Sequence, residues 1–163
     1  MIDATHLKAH HTACSLLKKR GVPRRIGRTK GGIASNLHAI CDHDGRPLIM
    51  LLSEGQKSGY KGARHMVCAL PGARYMLGDR GYNADWFCTA LRDKDIEPCL
   101  PPKANCKRDS SYGKMLYKQR YKIEIMFGRL KDWRRISMRY DRCALIFFSS
   151  ICIAETVIFY LNQ

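Results

Sequence analysis

The sequence predicts an α/β or α+β domain in which helices pack against a sheet. Its 163 residues are the length of one domain, and 45% hydrophobic with 26% charged residues is an ordinary globular mixture. Short apolar runs that end in turn residues alternate along the chain with segments of helical periodicity. Such an alternation is typical of strands and helices that share one layered core. We therefore expect a single domain over residues 1–163.

The first part of the chain predicts mainly strands. The opening stretch MIDATH (Met1–His6) is compatible with a strand. The segment Leu16–Gly32 carries seven Lys or Arg residues and no acid, and its glycines and proline predict a loop that approaches a polyanion. Two apolar runs within Ile33–Gly55 flank a turn that contains Gly45, which predicts a β-hairpin.

The second part predicts alternating helices and short strands. In Tyr82–Asp95, Asn83 is positioned to cap a helix and Asp85 lies in its first turn. The elements expected in chain order are a helix Tyr60–Leu70, a strand Arg74–Asp79, the helix in Tyr82–Asp95, a strand in Ile96–Pro102, a basic loop Lys103–Lys114, a helix Tyr117–Lys131 and an apolar helix Cys143–Leu161.

Net charge is the unusual property of this chain. The sequence has 29 Lys and Arg residues against 14 Asp and Glu residues, which gives +15 at pH 7. A polyanionic partner best explains such an excess, with nucleic acid the first candidate and an anionic membrane surface the second. A solvated basic surface without a partner is the remaining alternative. The segment Cys143–Leu161 is marginal in length for a membrane span and is interrupted by Glu155, so we expect a buried helix and no membrane.

The eight cysteines do not predict disulfides. None form a C-x-x-C pair, and they lie singly in apolar stretches, where a thiol behaves as a small hydrophobe. We therefore expect free core cysteines and a reducing, cytoplasmic location.

One acid stands alone in the basic helix Tyr117–Lys131. At 100° per residue, Tyr117, Arg120, Glu124 and Lys131 share one face about 60° wide, at the border of an apolar stripe. Glu124 is therefore expected to face a cleft. The alternative is an i,i+4 ion pair with Arg120 on a solvated surface.

Two further acids favour a chemical role for Glu124 over a simple ion pair. Asp79 ends a predicted strand, where ligands gather in open α/β sheets, although a turn or capping role is the alternative. Asp3 lies in a predicted strand near the start of the chain. Together the three carboxylates could hold Mg²⁺ or Mn²⁺ in a two-metal site for phosphoryl displacement, and we expect them to converge within about 8 Å.

The spacing of Tyr117, Arg120, Glu124 and Lys131 matches the Tyr–Arg–Glu–Lys signature of IS5-type insertion-sequence transposases, in the IS4/IS5 group of DDE transposases. The chain also resembles this family in GRTKGG, GRPLIMLLSEGQ, LGDRGYNADWF and MFGRLKDWRRISMRYDR. The resemblance covers essentially the whole chain.

The resemblance implies a ribonuclease-H-like mixed sheet flanked by helices, with the first strand shortened because Asp3 is the third residue. It implies that Asp3, Asp79 and Glu124 are the catalytic and metal-ligating residues. It further implies metal-dependent cleavage at insertion-sequence ends, attack of the freed 3′-hydroxyl on target DNA, and a homo-oligomer in the DNA complex.

DNA-contacting residues are expected around the acids. In the family, the positions of Tyr117, Arg120 and Lys131 contact or position DNA. Arg134, Arg135, Arg28 and Lys30 are further phosphate-contact candidates from charge alone, and solvated cations are the alternative for them. We expect the N-terminal DNA-end-binding region of a full-length transposase to be absent. An inactive remnant that only binds DNA, and a general ribonuclease-H-like nuclease, are the competing hypotheses.

Overall fold

A computed structural model describes residues 1–15, 24–102 and 113–161. The strands are β1 (Ile2–Ala9), β2 (Gly27–Thr29), β3 (Gly32–Cys41), β4 (Pro47–Glu54), β5 (Tyr75–Leu77), β6 (Glu97–Cys99) and β7 (Met138–Arg139). The α-helices are α1 (His11–Cys14), α2 (Gly59–Met66), α3 (Asp85–Arg92), α4 (Lys114–Tyr117), α5 (Tyr121–Lys131), α6 (Arg134–Ser137) and α7 (Ala144–Thr156). Short 3₁₀ turns cover Val67–Ala69, Arg80–Tyr82 and Lys118–Arg120, and a π-helical turn covers Val157–Leu161.

Strand β3 is the centre of the main sheet. β1 pairs antiparallel with one edge of β3, in a register that runs from Ile2 opposite Ile40 to Lys8 opposite Ala34. β4 and the short β2 pair antiparallel with the other edge. β7 joins β1 in parallel over two residue pairs, and β5 and β6 form a separate parallel pair. The result is a mixed α/β fold, as the sequence predicts.

The predicted hairpin is confirmed as β3 and β4. Its turn uses Gly45 at φ +83°, a conformation that glycine adopts without steric cost. The carboxylate of Asp42 accepts backbone N–H groups of Asp44 and Arg46, each at 2.9 Å, which closes the turn.

Helices cover both faces of the sheet, because side chains alternate between the faces along each strand. From β1, Leu7 joins a core formed with α5, α6 and α7. Ile2 points to the opposite face and joins a core formed with α2, α3, β5 and the residues on either side of β6. Asp3 and Thr5 share the face of Leu7, so they lie on the side that α5 covers.

The expectation of a shortened first strand is wrong. β1 has eight residues, and seven of them pair with β3. The N–H of Cys41 also donates to the carbonyl of Met1 at 2.9 Å, which continues the ladder past Asp3. The residues before and after Asp3 therefore pair regularly with β3, and this pairing fixes the position of Asp3.

Three local predictions are wrong in detail. The predicted basic loop contains the strand β2, which pairs with the start of β3; residues 16–23 of that loop lie outside the described residues. Asn83 does not cap α3, because its amide nitrogen donates to the carbonyl of Pro101 at 2.8 Å and Ala84 is the residue before the helix.

The helix expected over Tyr117–Lys131 is α4, a 3₁₀ turn and α5 in succession. Of the basic loop Lys103–Lys114, residues 103–112 are outside the described residues.

The C-terminal helix is only partly buried. Its inner face contributes Ala144, Phe147, Ile151 and Ala154 to the core, as expected. Its outer face exposes apolar side chains by more than half, namely Leu145, Ile146, Ile153 and, in the following turn, Leu161. By length and composition alone, Ala144–Leu161 would be long and apolar enough to cross a membrane, with a mean hydropathy of 2.1, a test that core helices of soluble proteins also pass.

The cysteines are free where the structure describes them, as predicted. Cys41 and Cys99 are buried in the core, whereas Cys68 is exposed and not the core residue we expected.

Candidate active site

Asp3 is a sheltered carboxylate on the face of β1 that α5 covers. Its side chain is 19% exposed, and its Oδ1 accepts the N–H of Ala4 at 2.8 Å. Its Oδ2 accepts a hydrogen bond from Nη1 of Arg120 at 2.7 Å. Burial raises the pKa of Asp3 above its usual range, and the negative charge of Asp79 acts in the same direction, against the opposing effects of the Ala4 N–H and of Arg120.

Asp79 follows β5 and lies beside the start of β1. A side chain at Gly78 would begin 2.9 Å from Cγ2 of Ile2, so β5 can approach β1 this closely only with glycine at that position. Oδ1 of Asp79 accepts the N–H of Gly81 at 2.8 Å and so caps the 3₁₀ turn Arg80–Tyr82. The capping role considered from the sequence is therefore real, and it fixes this carboxylate within electrostatic range of Asp3.

Glu124 lies in the first turn of α5 and is 57% exposed, more open than the cleft-facing position we expected. Its Oε1 accepts a hydrogen bond from Nη2 of Arg120, so the i,i+4 ion pair is present. The i,i+4 alternative therefore holds in the structure without DNA, and the contact of Arg120 with DNA stays a prediction. One guanidinium joins Glu124 to Asp3.

The three acids are linked in pairs rather than gathered in one tight cluster. Within the described ranges, the one group of three or more potential metal ligands that all lie within 4.8 Å of one another is Asp42, His43 and Asp44 in the β3–β4 turn. Arg120 connects Asp3 to Glu124, and charge interaction connects Asp3 to Asp79. The predicted convergence of all three within about 8 Å stays a prediction.

A cavity of about 300 Å³ opens beside Asp3 and Asp79. It reaches from the two acids to His6 and Asn36 on neighbouring strands and to Tyr60 on α2. Tyr82 also lines this cavity. Its hydroxyl is buried without a hydrogen-bond partner among the described residues, and burial raises its pKa, with the charges of Asp3 and Asp79 adding to the effect.

Sequence reasoning missed Tyr82 and Asn36 as cavity residues. Tyr82 lies three residues after Asp79 in LGDRGY. This proximity in sequence was the signal that could have placed Tyr82 beside the acids. No local pattern placed Asn36 there, because its position depends on the pairing of β3 with β1.

Lys131 contacts the strand that carries Asp3. Its Nζ donates to the hydroxyl of Thr5 at 2.6 Å, and burial lowers its pKa. Tyr117 packs against the core formed with α5 and α7. Lys131 and Arg120 together place two positive charges on the face of β1 that carries Asp3.

The remaining basic candidates lie at the surface. Arg28 and Lys30 are exposed on β2 and in the turn that follows it, and Arg134 is exposed at the start of α6. Arg135 already forms a bidentate pair with Asp141, at 3.0 and 2.7 Å, so a phosphate contact would require this pair to break.

The donor set suits a hard divalent cation. Carboxylate oxygens are the ligands that Mg²⁺ and Mn²⁺ prefer in proteins. Asp3 and Glu124 already converge on a cation, the guanidinium of Arg120, and Asp79 adds negative charge nearby. The residues therefore fit the metal that the sequence predicts.

Comparison with known proteins identifies the family of this chain. The family described as Transposase DDE domain matches residues 1–148. A putative transposase for insertion sequence element IS6501 of Brucella ovis is 28% identical, over 77% of this chain and 98% of the relative. A putative transposase for insertion sequence element IS402 of Burkholderia cepacia is 29% identical, over 74% of this chain and 64% of the relative. No solved structure matches the chain. The chain belongs to the DDE transposases of insertion sequences.

Proposed function

We propose that this chain is a transposase catalytic domain that cleaves DNA at insertion-sequence ends and joins the freed 3′-hydroxyl to target DNA. The observation that carries the proposal is the position of the acids: Asp3 on β1, Asp79 after β5, and Glu124 on α5, the helix that packs on the face of β1 carrying Asp3. Strand carboxylates next to a helix carboxylate supply a hard-oxygen site at one place in the fold.

A ribonuclease-H-like fold is part of this proposal. The long strands β1, β3 and β4 form an antiparallel unit, and a helix then leads to the parallel pair β5–β6. The close approach of Gly78 to Ile2 supports β5 as the strand that extends the sheet beyond β1. The whole chain would then be one catalytic domain.

Asp3, Asp79 and Glu124 would hold Mg²⁺ or Mn²⁺ in a two-metal site. When bound, such ions activate a water or a 3′-hydroxyl and stabilise the leaving oxygen of an in-line phosphoryl displacement. The protein's own residues prepare the site for this: the N–H of Gly81 orients Asp79, the N–H of Ala4 orients Asp3, and the pairing with β3 fixes the strand.

DNA is the partner that the charge supports. A net charge of +15 attracts a phosphate backbone and steers its approach. Arg120, which contacts Asp3 and Glu124, would position the transferred strand together with Lys131 and Tyr117. Arg134, Arg28 and Lys30 would contact phosphates further away, and a homo-oligomer would hold the two ends of the element.

The test is strand transfer with duplex DNA that carries the element's terminal repeat. Asp79→Asn and Glu124→Gln should each lower the rate at least about 100-fold, the scale seen when one preorganised electrostatic group is removed. Asp93→Asn, at an exposed acid after α3, is the matched control and should keep full activity. DNA binding without cleavage by the unaltered chain would contradict the proposal and indicate a non-catalytic DNA-binding remnant. Cleavage without strand transfer would indicate a nuclease.

A further inference from the structure

Arg120 bridges two of the three candidate metal ligands. Its Nη1 donates to Oδ2 of Asp3 at 2.7 Å, and its Nη2 donates to Oε1 of Glu124. The side chains of Arg120 and Asp3 are each 19% exposed, whereas Glu124 is 57% exposed, so the bond to Asp3 is the sheltered half of the bridge. The guanidinium therefore occupies the place where the strand acid and the helix acid meet.

A guanidinium and a divalent cation need the same carboxylate oxygens. Arginine has only donors and stays protonated, so it cannot act as a ligand itself. Mg²⁺ demands oxygen ligands in nearly octahedral geometry. A divalent ion on Oδ2 of Asp3 would lie within a few ångströms of the guanidinium, and the two positive charges would repel each other. Occupation by one cation therefore disfavours the other.

In the metal-free protein, the positive charge of Arg120 offsets part of the negative charge of the acids, as a metal ion would. Asp3 is buried, and Asp79 adds a second negative charge within electrostatic range. Two neighbouring carboxylates are costly to keep ionised together without a cation. The guanidinium offsets this cost for Asp3 and Glu124.

A DNA phosphate offers the same guanidinium another partner. Arginine pairs with phosphate in the bidentate geometry that it uses with carboxylates. Arg120 stands at the start of α5, beside exposed Lys118, in a chain with a net charge of +15. Phosphates are therefore drawn to the position from which Arg120 reaches the acids.

We propose that Arg120 couples DNA binding to metal binding by exchanging partners. In the metal-free protein it holds Asp3 and Glu124, and transfer of its guanidinium to a DNA phosphate releases both carboxylates for Mg²⁺ or Mn²⁺. The inference rests on the proposed function of the acids. Because coupling between two binding events is reciprocal, DNA tightens metal binding and the metal tightens DNA binding by the same factor. Arg120 is thus a positioning residue that favours metal loading where DNA is present.

The experiment measures the dissociation constant of Mn²⁺ by electron paramagnetic resonance, with and without a short DNA duplex. In the unaltered chain, DNA should tighten Mn²⁺ binding between about 5- and 150-fold, the usual range of such coupling. Arg120→Gln should bind Mn²⁺ more tightly than the unaltered chain when DNA is absent, and DNA should then change its affinity by less than about twofold. Asp79→Asn, measured in parallel, reports the Mn²⁺ that the DNA itself holds.

Two further variants make the result specific. Arg92→Gln removes an exposed arginine at the end of α3 that is not among the DNA-contact candidates, and it should keep the full effect of DNA on Mn²⁺ binding. Arg120→Lys keeps the charge but loses the bidentate fork, and it should tighten DNA-free Mn²⁺ binding less than Arg120→Gln does. If Arg120→Gln does not unfold cooperatively, Arg120→Lys provides the test alone.

The outcomes separate this inference from the proposed function. Unchanged or weaker Mn²⁺ binding by cooperatively folded Arg120→Gln would overturn the exchange but leave the metal site intact. Mn²⁺ binding by the unaltered chain that does not depend on Asp79 would overturn the metal site and the exchange together.

Discussion

The ammonium group of Lys131 donates a hydrogen bond to the hydroxyl of Thr5 at 2.6 Å. This contact ties the C-terminal end of α5 to the strand that carries Asp3, on the same face of that strand. Together with the bond from Arg120 to Asp3, it attaches the helical segment to β1 at two points. The position of Glu124 relative to Asp3 therefore depends on both contacts.

We predict that Lys131→Met and Thr5→Val each lower the free energy of unfolding by about 1–2 kcal/mol, because both remove a partly buried, charge-assisted hydrogen bond. The double variant should be little worse than the more damaging single variant, since the two changes remove one shared interaction. Urea unfolding measures all three. Lys118→Met, at an exposed lysine, is the control and should change little. Additive losses in the double variant would show that the two residues act independently.

The buried His38 makes the stability of the fold depend on pH. The residue is fully buried, its Nε2 lies 2.7 Å from the hydroxyl of Ser53, and burial, with smaller effects of His6 and His65, lowers its pKa from 6.5 to about 4. The unfolded chain then binds a proton at a pH at which the folded chain does not. His38 therefore stabilises the fold fully above pH 6.5, and this contribution is lost as the pH falls toward 4.

We expect the loss to reach about 3 kcal/mol across this window, since each pKa unit corresponds to about 1.4 kcal/mol. His38→Gln should flatten the profile between pH 6.5 and 4, measured by urea unfolding at several pH values. His43→Gln replaces a histidine whose side chain is 87% exposed and should leave the slope unchanged. Equal slopes for His38→Gln and the unaltered chain would contradict the prediction.

Arg139 is a fully buried cation that organises the loop before β2. Its guanidinium donates to the hydroxyl of Ser35 at 2.6 Å and to the carbonyls of Arg24 and Asp141, each at 2.8 Å. It also lies 4.7 Å from the ring centroid of Phe147. Burial lowers its pKa to about 10, which still leaves it charged at neutral pH.

Arg139→Met should therefore cost about 3 kcal/mol of unfolding free energy, because several buried acceptors lose their donor at once. Chemical denaturation measures this, and amide hydrogen exchange around Arg24 should rise with it. Arg135→Met, at a surface arginine paired with Asp141, should have a much smaller effect. Comparable losses for the two variants would show that the buried network contributes little.

Substitution by alanine should have opposite effects on stability at two helical glycines. A Cβ at buried Gly62 would lie 2.2 Å from Nδ1 of His38, so Gly62→Ala should destabilise the protein by about 1–3 kcal/mol through overpacking. Gly128 lies on the exposed side of α5 with nothing within 4 Å of such a Cβ. Gly128→Ala should stabilise the fold by about 0.5–1 kcal/mol, because alanine favours a helix. Thermal unfolding of the two variants side by side tests the contrast, and a stabilising Gly62→Ala would refute it.

Features with a local cause were predictable from the sequence. The β3–β4 hairpin followed from two apolar runs around Gly45, and α3 followed from apolar spacing and Asp85 in the first turn. The interruption of the helix before Tyr121 and the pairing of β2 were not predictable. The strand β2 exists only through its pairing with β3, which no local pattern in the basic segment indicated.

The sequence by itself determined the mixed α/β class, the excess of positive charge, the family and the three candidate acids, because composition, periodicity and motif spacing are properties of the chain alone. Only the tertiary structure decided the partners of those acids. The contact of Arg120 with Asp3 spans 117 positions and that of Lys131 with Thr5 spans 126. Such contacts arise when α5 packs its apolar side on the sheet and brings its basic side against β1. The physical reason is that burial of Ile123, Met126 and Leu130 fixes the rotation of the helix, and this rotation selects which cation reaches which carboxylate.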